Sequence, residues 1–167
     1  SGGLVGSEMC IRDRFMIIPS NKFNFKDGLM KSVEVYTHLK NLLKEKELSV
    51  SVGDEGGFAP NLKTSEEVLD LIILSIERAG LIYLDDISIA LDCAASELFN
   101  KDTYRLTGEN KKYSSEEMIV YIQSLVDKYE IKSVEDPFDE TDWNAWKTFT
   151  NNNNCLLYTS PSPRDLL

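Results

Sequence analysis

The chain has 167 residues, enough for one domain with a hydrophobic core, and its 42% apolar and 28% charged residues are typical of a globular protein. The formal charge of −10 has the wrong sign for binding phosphate backbones, so we expect no nucleic-acid partner. No apolar run reaches the roughly 18 residues that span a bilayer and no secretory leader is recognisable, so we expect a cytoplasmic protein without a membrane segment.

The two ends of the chain differ from the middle. Residues 1–14 (SGGLVGSEMCIRDR) and 155–167 (CLLYTSPSPRDLL) show neither helical nor strand periodicity. Both resemble peptides encoded by translated sequencing-adapter DNA. We therefore predict non-native tails at 1–14 and 155–167 around a native segment, 15–154, with genuine disordered tails as the alternative.

Apolar periodicity predicts the first elements of the middle segment. Phe15–Ile18 is a short apolar run that suits a strand, and over Asp27–Lys44 apolar residues recur every three or four positions, as in an amphipathic helix. A glycine-rich loop follows at Gly53–Pro60. The next helix, Thr64–Ala79, opens with a possible capping box that Glu67 completes.

The second half of the segment repeats the alternation of strand and helix. Ile87–Leu91 reads as a buried strand, and Asn100–Tyr113 is polar and rich in turn residues. A second possible capping box at Ser114 opens another amphipathic helix. Ile131–Val134 is a further short strand, and Asp142 is a plausible N-cap for a last helix. This order predicts an α/β fold with a parallel sheet wrapped by helices.

Three acidic residues stand at positions where chemistry is expected. Asp92 and Glu135 directly follow the two predicted strands, and strand ends at the carboxyl edge of an α/β barrel carry the active site. Two carboxylates from different strands of one parallel sheet can converge on Mg²⁺, which prefers oxygen ligands. Glu55 stands among Gly53, Gly56 and Gly57 in a loop able to approach a small substrate. Each carboxylate alone is better explained by a helix cap or a solvated turn residue, and only the combination favours a site.

Four motifs together resemble the enolase family. They are FMIIP (Phe15–Pro19), SVGDEGGFAPNL (Ser51–Leu62), ALDCAASE (Ala90–Glu97) and SVEDPFDETDW (Ser133–Trp143). They are long, occur in the order of the family and span nearly all of the middle segment. The resemblance implies a partial, incomplete TIM-like (β/α) barrel of the enolase type.

The resemblance also implies roles for the three acidic residues. Glu55 matches the general acid that helps a hydroxyl group leave, and Asp92 and Glu135 match two of three protein ligands of a Mg²⁺ cofactor, with Glu135 also at the substrate. The implied parent is a glycolytic lyase, phosphopyruvate hydratase, that interconverts 2-phosphoglycerate and phosphoenolpyruvate, commonly as a homo-oligomer. The third ligand, the base lysine and the phosphate-binding groups would follow Asn154, and Arg14 replaces an active-site glutamate of the family. We therefore expect this chain alone to be inactive.

Other readings of the same sequence stay open. One is a more distant Mg²⁺-dependent lyase or isomerase of the enolase superfamily. Another is a stand-alone module that binds a divalent cation or phosphate through the acidic residues and the glycine-rich loop. A third is an interaction protein whose apolar helix faces are simply core.

Overall fold

The computed structural model describes residues 15–53, 56–106, 110–153 and 155–159. Within these ranges no helix is long and apolar enough to cross a membrane. The elements in chain order are β1 (Phe15–Pro19), α1 (Phe25–Glu45), α2 (Ser65–Arg78), β2 (Ile87–Asp92), β3 (Phe99–Asn100), β4 (Thr103–Leu106), β5 (Lys111–Tyr113), α3 (Ser115–Tyr129), β6 (Ser133–Glu135), α4 (Trp143–Asn152) and β7 (Leu156–Tyr158).

A four-stranded sheet with the order β1-β2-β6-β7 lies at the centre of the described fold. Strands β2, β6 and β7 run parallel to one another, as the alternation of strands and helices predicts. Strand β1 is antiparallel to β2, so the expectation of an all-parallel sheet was wrong for this pair. The reason is the connection between them: two successive helices, α1 and α2, reverse the chain once more than a single crossover helix does.

Side chains from the strands alternate between two very different environments. Ile87, Ile89 and Leu91 of β2 are buried in the main hydrophobic core together with apolar residues of α2 and α3. Because successive strand residues point to opposite faces, the residues between them belong to the other face of the sheet. On that face Met16 and Ile18 of β1 are each 39% exposed. The described helices therefore cover one face of the sheet.

Polar side chains fix the starts of the helices. Ser114 and Glu117 form a complete capping box at α3, which confirms the predicted helix start. At α2 the Thr64 hydroxyl accepts from the Glu67 N–H at 3.2 Å, but the Glu67 carboxylate accepts from the Lys63 N–H at 2.8 Å instead of closing the box on Thr64. The Asp142 carboxylate accepts from the Ala145 N–H at 3.2 Å, confirming the predicted cap of α4.

The polar stretch Asn100–Tyr113 is more regular than its composition indicates. Strands β3, β4 and β5 form a small antiparallel sheet, which we call the meander. Polar residues such as Thr103 and Lys112 occupy its outer face, while Tyr104 and Leu106 are buried beneath it. A two-residue turn at Lys101 and Asp102, both with positive φ, joins β3 to β4, and residues 107–109 lie outside the described ranges.

Part of the predicted C-terminal tail belongs to the sheet. Leu156 to Tyr158 form β7, whose residues pair with Ser133 to Glu135 of β6. Residues 155–167 were expected to lie outside the fold because they lack periodicity and resemble translated adapter DNA. A strand of three residues is too short to show a period. Whether 155–167 is native stays a prediction. Among the described residues β1 and β7 are the two outer strands, so the sheet does not close on itself, as expected for a partial barrel.

Candidate functional site

Asp92 and Glu135 are neighbours at one edge of the sheet. They are the last residues of β2 and β6 and are register partners in this parallel pair. Residues aligned in this way on adjacent strands project from the same face. The structure therefore brings together two of the three acidic residues that the sequence analysis singled out, at the carboxyl edge where α/β barrels carry their chemistry.

The face that carries these two carboxylates is the one the described helices leave open. By strand alternation Asp92 and Glu135 share it with Met16 and Ile18 of β1, and with Leu156 and Tyr158 of β7, the last two being 55% and 53% exposed. In a closed barrel this face would form the interior. The two carboxylates are thus placed to face an enclosed space at the top of a barrel once the remaining strands are present.

Hydrogen bonds hold the segments that follow the two strands. The Ala94 N–H donates to Asp92 Oδ1 at 3.0 Å, which fixes the orientation of that carboxylate. The Cys93 N–H donates to the Glu135 carbonyl at 2.8 Å, extending the pairing beyond β2. Ala94 and Asp136, each close behind a candidate ligand, adopt left-handed backbone angles with φ of 40° and 44°. Such angles are costly for residues other than glycine and are concentrated at functional sites.

Glu55 itself lies outside the described residues, but the loop on both sides of it is described. The Gly53 N–H donates to the Gly57 carbonyl at 2.8 Å, so the loop closes on itself, and Gly56 has φ of 85°, which glycine adopts without strain. The Tyr36 hydroxyl of α1 donates to the Gly56 carbonyl at 3.1 Å, and the Tyr36 ring stacks on Phe58 with centroids 4.3 Å apart. The glycine-rich loop is therefore anchored to α1.

A shared cavity places this loop at the same end of the fold as the two carboxylates. Gly57 and Phe58 line an apolar cavity of about 110 Å³ together with Phe15 of β1. Phe15 is the register partner of Leu91, the residue before Asp92. Gly57 and Phe58, in the described part of the loop, thus lie near the carboxyl end of β2, on the face of the sheet opposite to Asp92.

The donor set is suited to a hard divalent cation. Carboxylate oxygens are the ligands that Mg²⁺ takes from proteins, and the ion usually keeps several waters, so two adjacent carboxylates fit it. Within the described ranges no cluster of three or more His, Cys, Asp or Glu residues is arranged to hold a metal ion. In the described part of the chain, Asp92 and Glu135 therefore offer two carboxylates at this edge of the sheet.

One well-ordered polar group near the site was missed by sequence reasoning. Tyr104 is fully buried, and its hydroxyl contacts the segment that follows Glu135. The sequence signal was present but weak: Tyr104 and Leu106 alternate with polar residues, the period of a half-buried strand. Because Asn100–Tyr113 is polar and rich in turn residues, no strand was predicted there.

Comparison with known proteins agrees with this arrangement. Residues 1–157 match the family described as enolase, C-terminal TIM barrel domain. The chain is 49% identical over 137 residues to a protein named enolase from Wolinella succinogenes, and 47% identical over 136 residues to one from Natranaerobius thermophilus. Each alignment covers 81% of this chain and 32% of the relative, so the chain spans about a third of their length. The chain belongs to the family of enolase C-terminal barrel domains.

Proposed function

We propose that the complete protein is a Mg²⁺-dependent phosphopyruvate hydratase, a carbon–oxygen lyase that interconverts 2-phosphoglycerate and phosphoenolpyruvate in glycolysis. The observation that carries the proposal is the pairing of Asp92 with Glu135 at the carboxyl edge of the sheet, in a chain that belongs to the enolase family. The same resemblance supports a cytoplasmic homo-oligomer as its working form.

The proposed roles follow from what each carboxylate can do. Asp92 and Glu135 would supply two of the oxygen ligands of Mg²⁺, and the Ala94 N–H would hold one Asp92 oxygen in place. Bound Mg²⁺ would stabilise the negative charge that develops when a proton is lost beside a carboxylate. Glu135 would also lie next to the substrate.

Glu55 would act as the general acid. Its carboxyl group would donate a proton to the C3 hydroxyl oxygen as the carbon–oxygen bond breaks, because departing hydroxide is a poor leaving group. The anchored loop supports this role. The bond from the Tyr36 hydroxyl to Gly56 and the bond from Gly53 to Gly57 fix the described residues on both sides of position 55. A lysine outside this chain would take the C2 proton, by resemblance to the family.

A stand-alone cation-binding module is less well supported. Such a module should complete its own ligand set and close its own sheet. The described residues provide two adjacent carboxylates and a sheet with two outer strands. A more distant member of the enolase superfamily would share the metal site and differ in substrate, so the choice of substrate in the test decides between them.

The test restores the missing parts. Residues 15–154 would replace the matching segment of the Wolinella succinogenes relative, and formation of phosphoenolpyruvate from 2-phosphoglycerate would be followed by its ultraviolet absorbance. We expect turnover that requires Mg²⁺ and is abolished by a chelator. A well-folded chimera without Mg²⁺-dependent turnover would contradict the proposal.

A further inference from the structure

A buried tyrosine connects the meander to the segment behind Glu135. The Tyr104 hydroxyl on β4 accepts a hydrogen bond from the Asp139 N–H at 3.0 Å and donates one to Asp142 Oδ2 at 2.8 Å. Ser115, the first residue of α3, donates to the same Asp142 oxygen at 2.5 Å. One phenol and one carboxylate therefore join β4, the start of α3 and the 136–142 segment.

Further contacts of Asp142 and Tyr104 hold this junction together. The other Asp142 oxygen, Oδ1, accepts from the Ala145 N–H and caps α4. The Tyr104 ring lies 4.8 Å from Phe99 and 6.4 Å from Phe138, measured between centroids. Burial raises the pKa of Tyr104, so the phenol stays protonated and keeps its donor at any physiological pH.

The 136–142 segment begins at the residue after Glu135, so its position limits where Glu135 can sit. Backbone hydrogen bonds also hold the start of the segment: the Asp136 N–H donates to the Tyr158 carbonyl of β7, and the Asp136 carbonyl accepts from the Ala95 N–H, each at 3.0 Å. A third contact, from the Glu140 N–H to Ser96 Oγ, is longer at 3.3 Å. The Phe138 side chain is buried in the main core, and Trp146 Nε1 donates to the Asp139 carbonyl at 3.1 Å. The Tyr104 hydroxyl adds hydrogen bonds from β4 to both ends of the stretch between Asp139 and Asp142.

We propose that Tyr104 is a positioning residue for the Asp92–Glu135 pair: through Asp139 and Asp142 its hydroxyl fixes the segment behind Glu135 and so holds the Glu135 carboxylate beside Asp92 for a divalent cation. The inference depends on the proposed function, because it assumes that these two carboxylates bind the metal. Groups behind metal ligands commonly set ligand orientation and affinity.

Replacing Tyr104 by phenylalanine isolates the hydroxyl. The ring and its packing remain, but the partly buried Asp139 N–H loses its acceptor and Asp142 loses one of two side-chain donors. The segment keeps its other contacts but is held less tightly, so we expect a small shift of Glu135 relative to Asp92 that removes neither carboxylate.

The matched control is Tyr129→Phe. Tyr129 is also buried and also donates to a carboxylate, Asp70 Oδ1, at 2.9 Å, but this bond joins α3 to α2 away from the carboxyl edge of the sheet. A general loss of stability should appear in both variants, whereas a change in metal affinity should be confined to Tyr104→Phe.

The experiment uses the full-length chimera with Mn²⁺ as a spectroscopic probe for Mg²⁺. The dissociation constant of Mn²⁺ would be measured by electron paramagnetic resonance without substrate, alongside the thermal unfolding midpoint of each variant. We expect Tyr104→Phe to raise the dissociation constant about threefold to tenfold, less than the roughly 10–100-fold of groups bonded directly to ligands. We expect Tyr129→Phe to leave it unchanged.

The possible outcomes separate the two proposals. If the unsubstituted chimera binds Mn²⁺ and Tyr104→Phe binds it equally well, the positioning role is wrong and the metal site stands. If the unsubstituted chimera binds no Mn²⁺, the proposed function is wrong, and the inference is wrong too because it assumes that metal site. Should Tyr104→Phe not fold, Ser115→Ala removes the other donor to Asp142, and an unchanged dissociation constant there overturns the inference.

Discussion

Asp92 and Glu135 place two negative charges on adjacent strands. Two carboxylates side by side on neighbouring strands repel each other, and like charges in such positions destabilise a sheet. Under the proposed function, a cation bound by both carboxylates would offset that repulsion.

At the residue scale we predict different losses for different carboxylates in the full-length chimera. Asp92→Asn and Glu135→Gln should weaken Mg²⁺ binding, because each removes an anionic oxygen ligand. Glu55→Gln should leave Mg²⁺ affinity nearly intact and lower the turnover rate by about 10²–10⁴-fold, the usual loss for a general acid or base. Calorimetric titration with Mg²⁺ and steady-state kinetics would measure the two effects separately.

Glu140→Gln is the control for loss of a negative charge. Glu140 is exposed in the segment behind Glu135 and does not belong to the sheet edge. The Glu140→Gln variant should bind Mg²⁺ with the same affinity as the unsubstituted chimera. If Glu55→Gln abolished Mg²⁺ binding in a folded chimera, its assignment as the acid would be wrong.

At the scale of single elements, capping side chains decide where helices begin. Ser114 accepts from the Glu117 N–H at 3.2 Å, and the Glu117 carboxylate accepts from the Ser114 N–H at 2.8 Å, so two backbone donors at the start of α3 are satisfied. The first turn of α3 also contains Ser115, which contacts Asp142. A weakened start of α3 would therefore also loosen the junction around Tyr104.

We predict that Ser114→Ala lowers the free energy of unfolding by about 0.5–2 kcal/mol, the cost of losing a cap. The matched control is Ser124→Ala in the middle of α3, where the hydroxyl donates to the Tyr121 carbonyl at 2.7 Å and alanine is the better helix former. Urea denaturation of the chimera, followed by circular dichroism, would compare them. Equal stability of both variants would show that the capping box contributes little.

At the scale of the whole molecule, the described sheet has features that a complete barrel would bury. Its outer strands β1 and β7 have no neighbour on one side among the described residues. Its open face carries exposed Met16, Ile18 and Leu156. Unpaired strand edges and exposed apolar surface favour association with other chains.

We predict that the isolated 167-residue chain is inactive and poorly behaved in solution. It should aggregate or give broad, poorly dispersed amide NMR signals, and it should show no hydratase activity at saturating Mg²⁺. The chemical reason is independent of folding, because two carboxylates without a further ligand hold Mg²⁺ weakly. A sharp cooperative unfolding transition from a soluble monomer, together with measurable turnover, would refute this expectation.

Most of the local structure could be predicted from the sequence. The caps of α3 and α4, the strands that end at Asp92 and Glu135, and the family motifs were recognisable because caps, periodicity and motif order are properties of neighbouring residues. The start of α1 was missed by two residues, because its cap is Asn24. The tails, the base and the third metal ligand stay predictions.

The tertiary structure decided the features that depend on distant residues. The antiparallel entry of β1, the pairing of β7 with β6 and the register that sets Asp92 beside Glu135 all arise from hydrogen bonds between segments far apart in the chain. Tyr104 is the clearest case: its alternation predicts burial at most, and only the folding of β4 against the 136–142 segment gives its hydroxyl two partners. Local sequence patterns do not specify the partners in such contacts, because the packing of the elements determines which residues meet.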